Sequence, residues 1–191
     1  AALYYAKISE EDISGYYCVY DLGGGTFDVS IVKISDNDVE VISTEGVFNL
    51  GGTDFDECLQ KLVIKKFKDD LNIKISTEDF TLNEAEELKK SLGKSNERKA
   101  RAKNKNVTIT RKEFEESIEN YIGQTEILCE SVLEEAQIKP NEINKIIIVG
   151  GSTRIPCIKE SITKIFKKEP YSFKNPDEMV ALGAAIYAGF K

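Results

Sequence analysis

Two short stretches of the chain carry residue types suited to a phosphorylated ligand. In Asp21-Leu22-Gly23-Gly24-Gly25-Thr26-Phe27-Asp28 an aspartate closes an apolar run and three glycines make a turn. Glycine has no Cβ, so backbone N–H groups can approach a ligand closely, and successive N–H groups in such a turn form a nest for an anion. Thr26 adds a hydroxyl donor. Asp21 and Asp28 repel phosphate, and they make sense where a Mg²⁺ ion, keeping several of its waters, stands between carboxylate and phosphate. In Ile148-Val149-Gly150-Gly151-Ser152-Thr153-Arg154-Ile155-Pro156 an apolar strand ends in two glycines and a helix follows. Open α/β sheets bind ligands at the carboxyl ends of their strands, and a helix N-terminus offers free N–H groups to phosphate. Arg154 suits stacking on a base or pairing with a phosphate. Taken singly, each stretch also reads as an ordinary turn.

Other chemistries are poorly supplied. The chain has no histidine, which rules out a Ser–His–Asp or Cys–His nucleophile. Cys18, Cys58, Cys129 and Cys157 form no CxxC pair, so a zinc site is not expected. Reduced, mostly buried thiols in a reducing compartment are expected instead, with the cytoplasm as the expected location and an organelle lumen or matrix as the alternative. Gly93-Lys94-Ser95 imitates the end of a P-loop, but Leu88 stands where that motif needs another glycine. The net charge of −7 argues against general nucleic-acid binding. No apolar stretch is long enough to span a membrane. Against the acidic background, Lys94, Arg98, Lys99, Arg101, Lys103 and Lys105 cluster. They read as a solvated hairpin or loop, or as a contact surface for a partner. The opening Ala1-Ala2-Leu3-Tyr4-Tyr5-Ala6-Lys7 resembles the end of a helix and lacks a Met, so the chain is expected to be a piece of something longer.

The elements that would position the two stretches follow from periodicity. Tyr16 to Asp21 reads as a strand, and Phe27, Val29 and Ile31 alternate with polar residues on a second. Ser35 to Asp38 is a turn signal, and Val39 and Val41 flank Glu40 on a third strand, completing an antiparallel meander. Thr53 with Asp56 resembles a capping box opening a helix that carries Phe55, Leu59, Leu62, Val63, Phe67 and Leu71. A second helix is expected over about 82–92 and a short strand over 107–110. Thr110 can cap one long helix with Phe114, Ile118, Ile122, Thr125, Val132, Leu133 and Ala136 on one face, stopped by Pro140. Lys145 to Val149 reads as a strand buried on both faces. A helix from Pro156 to about Lys167 follows, then a last helix from Pro176 with Ala181, Gly183, Ala184 and Ala185. This is an α/β unit with an inserted segment.

The stretch Asp21–Ile31 is very similar to the second phosphate loop of the Hsp70 family, and Val149–Pro156 resembles its adenosine motif. Leu50-Gly51-Gly52-Thr53-Asp54-Phe55-Asp56, Asn175-Pro176-Asp177-Glu178 and Gly183-Ala184-Ala185 also match, in the same order and over essentially the whole chain. The resemblance implies one lobe of an actin-like (ribonuclease H-like) ATPase fold with a mixed sheet. Residues 1–50 and 119–191 would be its core subdomain, and 51–118 an inserted α+β outer subdomain.

The same resemblance assigns roles. Gly23, Gly24, Gly25 and Thr26 would cradle the phosphates of ATP or ADP, and Asp21 would act through Mg²⁺-bound water, so that Asp21 and Thr26 carry the catalytic side. Gly150, Gly151, Ser152, Arg154 and Ile155 would border the adenosine, with Asp177 approaching it. Glu86, Lys89 and Lys90 would lie over adenine and ribose. Lys90 stands where many members carry arginine, and Gly93 where they carry a serine. The family's first phosphate loop, catalytic lysine, further carboxylate and peptide-binding domain are not in this sequence. In the full-length protein, ATP hydrolysis would drive binding and release of unfolded polypeptide, with a J-domain co-chaperone and a nucleotide-exchange factor as partners. The isolated chain would be catalytically incomplete. A docking module for an exchange factor, and another actin-like protein such as a sugar kinase or filament protein, are the alternatives. The Gly150–Pro156 match argues against the latter.

Overall fold

The computed structural model describes residues 14–35 and 38–171, together with Ala185 and Ala188. The expected helix end at 1–7, the tip of the 35–38 turn and most of the last helix, Asp177 included, lie outside the described residues.

Four strands form a mixed sheet. β1 (Gly15–Leu22), β2 (Thr26–Ser35) and β3 (Asp38–Phe48) make the antiparallel meander, and β4 (Ile143–Val149) joins β1 in parallel, in the order β3-β2-β1-β4. The period of two decides the faces. Cys18, Tyr20, Leu22, Phe27, Val29, Ile31, Ile146 and Ile148 are buried on one side, in the main core. Tyr17, Val32, Ile34, Ile147 and Val149 pack on the other. The run Ile146–Val149 is therefore buried on both faces, as its unbroken apolar pattern requires. Where the β1–β4 register slips between Tyr16 and Tyr17, the Asn144 side chain accepts the Tyr16 N–H at 3.0 Å.

The register has one functional consequence. Asp21 lies opposite Val149 on the parallel neighbour and opposite Asp28 on the antiparallel one. Both glycine turns therefore leave the sheet at the same end.

From β3 the chain enters α1 (Gly52–Leu71), which buries Phe55, Leu59, Val63 and Phe67 at helical spacing. α2 (Leu82–Leu92) follows, capped reciprocally by Thr81 and Glu84. The basic stretch is a hairpin of β5 (Glu97–Ala102) and β6 (Lys105–Thr110). Its two-residue turn has both Lys103 (φ 45°) and Asn104 (φ 59°) left-handed, which suits the twist of the strands.

Two expectations about helices need correction. The box of Thr53 and Asp56 is not formed. Gly51 is the N-cap of α1, and Asp54 accepts the Gly51 N–H at 2.8 Å. The helix starts earlier because its first N–H groups are taken by the preceding loop, as described below. The long helix after Thr110 is two helices, α3 (Arg111–Ser117) and α4 (Glu119–Ala136). Ile118 breaks it, with φ −108° and ψ 4°, while remaining fully buried. Thr110 does cap α3, accepting the Glu113 N–H. α4 stops at left-handed Gln137, before Pro140, which opens a 3-10 turn. α5 (Pro156–Phe166) ends at left-handed Lys167.

α4 covers β2 and β3 and packs on α5. The Phe55 and Tyr121 rings meet edge-on with centroids 5.9 Å apart, tying α1 to α4. All four cysteines are free. Burial raises the pKa of each thiol, that of Cys157 to about 12. Among the described residues no helix is long and apolar enough to cross a membrane.

Candidate functional site

The turn after β1 is closed by the Gly23 N–H donating to the Thr26 carbonyl at 3.1 Å. The N–H groups of Gly24 and Gly25 meet no acceptor among the described residues, which leaves two donors side by side. The carbonyls of the same turn point the other way and hold the start of α1. Gly52 N donates to Gly23 O (3.0 Å), Thr53 N to Gly24 O (2.7 Å) and Asn49 N to Gly25 O (3.0 Å). The approach is so close that a Cβ on Gly51 would lie 2.7 Å from the Gly24 carbonyl carbon. The N-terminus of α1 is thus spent on positioning the loop.

The turn after β4 is fastened to the first. Gly150 has φ +89°, and a Cβ there would lie 2.2 Å from Leu22 O. Ser152 Oγ donates to Gly23 O at 2.9 Å, and Thr153 Oγ1 to Gly150 O at 2.7 Å. Gly151–Arg154 forms a 3-10 turn, so α5 begins only at Pro156. The helix expected from Pro156 is thus borne out, with a 3-10 turn between it and the glycines. Pro156, the first residue of α5, has no N–H.

Both turns border one open cleft of about 420 Å³, with α2 on its far wall. Gly23, Gly24, Glu86, Lys89, Lys90, Gly151, Ser152, Arg154 and Ile155 line it, as do Gly52, Thr53, Asp56, Gly93 and Lys94. Of the residues singled out from the sequence, Asp21, Gly25, Thr26 and Gly150 are not on its lining, and Asp177 is outside the described residues. Thr26 is exposed at the start of β2. Asp21 is half-buried, and its pKa is raised first by that burial and then by the Asp28 carboxylate across the strand pair.

On the α2 wall, Lys90 pairs with Glu86 at 3.0 Å and Glu87 at 2.8 Å along the exposed helix face. Lys89 turns inward. Its Nζ pairs with Asp56 Oδ1 at 2.9 Å and donates to Gly52 O at 2.8 Å. Sequence reasoning gave no site role to Gly52, Thr53, Asp56 and Lys94. The glycine pair Gly51-Gly52 was a usable signal, whereas the Asp56–Lys89 pairing joins two helices and leaves no local mark.

The residues fit a nucleotide with its magnesium on three counts. Gly24 and Gly25 present two N–H donors. A Cβ on Gly24 or on Gly25 would meet nothing within 4 Å, so the loop has an open side. Two carboxylates lie beside the turn. Among the described residues no three cysteine or carboxylate side chains gather to hold a metal ion directly. Compared with models of known families, the whole chain, residues 1–191, matches the one described as Hsp70 protein.

Proposed function

The chain belongs to the Hsp70 family, and on that footing we propose that its cleft is the adenosine side of a nucleotide site. The fold is the actin-like ATPase fold of that family, whose full-length members are ATPases and chaperones that bind ATP and ADP with Mg²⁺ and work with co-chaperones. Gly23, Gly24, Gly25 and Thr26 receive the phosphates. Gly151, Ser152, Arg154 and Ile155 border the adenosine, Gly150 sets the turn behind them, Asp177 approaches from the C-terminal stretch, and Glu86 and Lys90 form the outer wall. Asp21 would hold Mg²⁺ through a water, and the ion would offset phosphate charge. Residues 1–50 and 119–191 are the core subdomain and 51–118 the outer one. The observation that carries this reading is the opening of the Gly23–Gly24 loop and the Gly151–Arg154 turn onto one cleft.

Titration of the chain with ADP and Mg²⁺ tests the proposal. Saturable binding is expected, and Gly24→Val is expected to abolish it while leaving the fold intact, because a Cβ added there meets nothing within 4 Å. A wild-type chain that binds no ADP would overturn the reading. Phosphoryl transfer needs charge stabilisation from both sides of a bound nucleotide. The isolated chain is therefore expected to hydrolyse ATP no faster than an Asp21→Ala control.

In the full-length protein, hydrolysis drives binding and release of unfolded polypeptide in the cytoplasm, with a J-domain protein and a nucleotide-exchange factor. A second reading, a docking surface for an acidic partner of the exchange-factor kind, is supported by the exposed Arg98, Lys99, Arg101 and Lys105 on the β5–β6 hairpin. Charge reversal at Arg98 and Arg101 would weaken such docking without touching ADP binding.

A further inference from the structure

A second hollow lies on α1 and shares no lining residue with the cleft. Lys61, Ile64, Lys65 and Lys68 of α1, with Lys74 and Ile75 of the segment after it, surround an open space of about 350 Å³. Residues three and four apart share a helix face, so Lys61, Lys65 and Lys68 stand in a row with Ile64 among them. Ile64 and Ile75 make the floor, since both pack against the main core and Ile75 is buried. Lysine stems are apolar, while their ammonium groups stay in water. The hollow is thus an apolar bowl with a cationic rim.

In a chain of net charge −7 this rim is poorly neutralised. Lys61 pairs with Glu57 at 3.3 Å, but both side chains are exposed and such contacts contribute little. Lys65, Lys68 and Lys74 meet no carboxylate among the described residues. Like charges at helical spacing repel. The helix dipole favours cations only in the last turn, which holds Lys68 but neither Lys61 nor Lys65. We propose that the bowl docks an acidic segment of a partner protein. One apolar side chain of that segment sits on Ile64 and Ile75, and carboxylates flanking it meet the lysines. Charge complementarity selects an anion, and the apolar floor selects a peptide among anions. A single-stranded nucleic acid stacks its bases on aromatic rings, and the bowl has none. A lipid surface takes apolar side chains that project into it, whereas these isoleucines are recessed. One part of the rim is set in advance. Lys103 of the β5–β6 turn donates to Lys74 O at 3.0 Å and pairs with Asp79 at 3.1 Å, which holds the Lys74 backbone before a partner arrives.

Fluorescence anisotropy of the full chain with a labelled synthetic peptide, Glu-Asp-Glu-Phe-Glu-Asp-Glu, tests the proposal. Saturable binding that weakens with added salt is expected. Lys65→Glu/Lys68→Glu is expected to weaken it at least about tenfold. The circular dichroism of that variant should match wild type, because both side chains are exposed. Exchanging the peptide's phenylalanine for serine is expected to weaken binding at least about fivefold, through the lost apolar burial. Arg98→Glu/Arg101→Glu on the hairpin is expected to leave affinity within about threefold of wild type, since neither residue lines the bowl and about 0.15 M salt screens distant charges. If wild type shows no saturable binding, the proposal falls. If the hairpin reversal weakens binding as much as the α1 reversal, the peptide sits elsewhere and the proposal falls. If the serine peptide binds as tightly as the phenylalanine peptide, the lysines take any polyanion and the proposal falls. Should wild type ignore the peptide but sediment with phosphatidylserine vesicles, the bowl is a membrane contact and the proposal is likewise overturned.

Discussion

Gly24 and Gly150 are the same residue in opposite circumstances. At Gly150 the backbone is left-handed and Leu22 O stands 2.2 Å from where a Cβ would go. Gly150→Ala combines the strain of φ > 0, about 1–2 kcal/mol, with a backbone clash. A loss of about 3 kcal/mol or more is expected in denaturant unfolding. Gly24→Ala meets open space and is expected to change stability by less than about 1 kcal/mol. Asp21 gives a second expectation. Its raised pKa means that it is protonated at a higher pH than an ordinary carboxylate. The Mg²⁺-dependent part of ADP affinity should therefore fade on acidification at a higher pH than an ordinary carboxylate would set, and Asp21→Asn should abolish that dependence. Residues of this kind were legible in the chain because glycine runs and flanking aspartates carry their meaning locally. Lys89 was not. Its number marks it as part of a helix near the cleft, but only the fold shows that its charge is turned inward to Asp56.

Helices and strands divide along the same line. The meander, the strand Lys145–Val149 and α2 could be read from periodicity, and the Thr110 cap from its side chain. The division of α3 from α4 could not, since Ile118 breaks the helix without glycine or proline nearby. Burying both Phe114 and Ile118 accompanies the change of direction there. The start of α1 was misread because Thr53-x-x-Asp56 satisfies a local capping pattern, while tertiary hydrogen bonds from Gly52 and Thr53 decide the real boundary. α3 carries an expectation of its own. Burial alone would raise the Glu113 pKa, yet the Lys66 ammonium of α1 and the Thr110 N–H and hydroxyl bring it down from 4.5 to about 2. A depressed carboxylate adds stability above its unfolded pKa and loses it as pH falls through the folded one. Between 4.5 and about 2 this contribution should disappear. Its size is about 1 kcal/mol or less, because the pair is partly exposed. Acid unfolding of Glu113→Gln should be correspondingly flatter in that window.

At the scale of the whole chain, two glycine turns far apart in sequence border one cleft because β1 and β4 run parallel with Asp21 beside Val149. That pairing was implicit in the α/β pattern, whereas the fastening by Ser152 Oγ to Gly23 O was not. Ligand that binds only the folded form must stabilise it, by about 2.7 kcal/mol at a hundredfold excess over Kd. ADP with Mg²⁺ should accordingly raise the thermal midpoint, and Gly24→Val should cancel the rise. The thiols add a last consequence. Cys18 and Cys129 are wholly enclosed, Cys157 is held near pKa 12 and even half-covered Cys58 is shifted upward. Since thiolate is the reactive form, alkylating reagents at neutral pH should be consumed slowly by intact molecules and rapidly by opened ones. The chain thus carries a native clock for its own opening, and the pace of labelling, with and without nucleotide, reads how tightly the cleft holds the rest together.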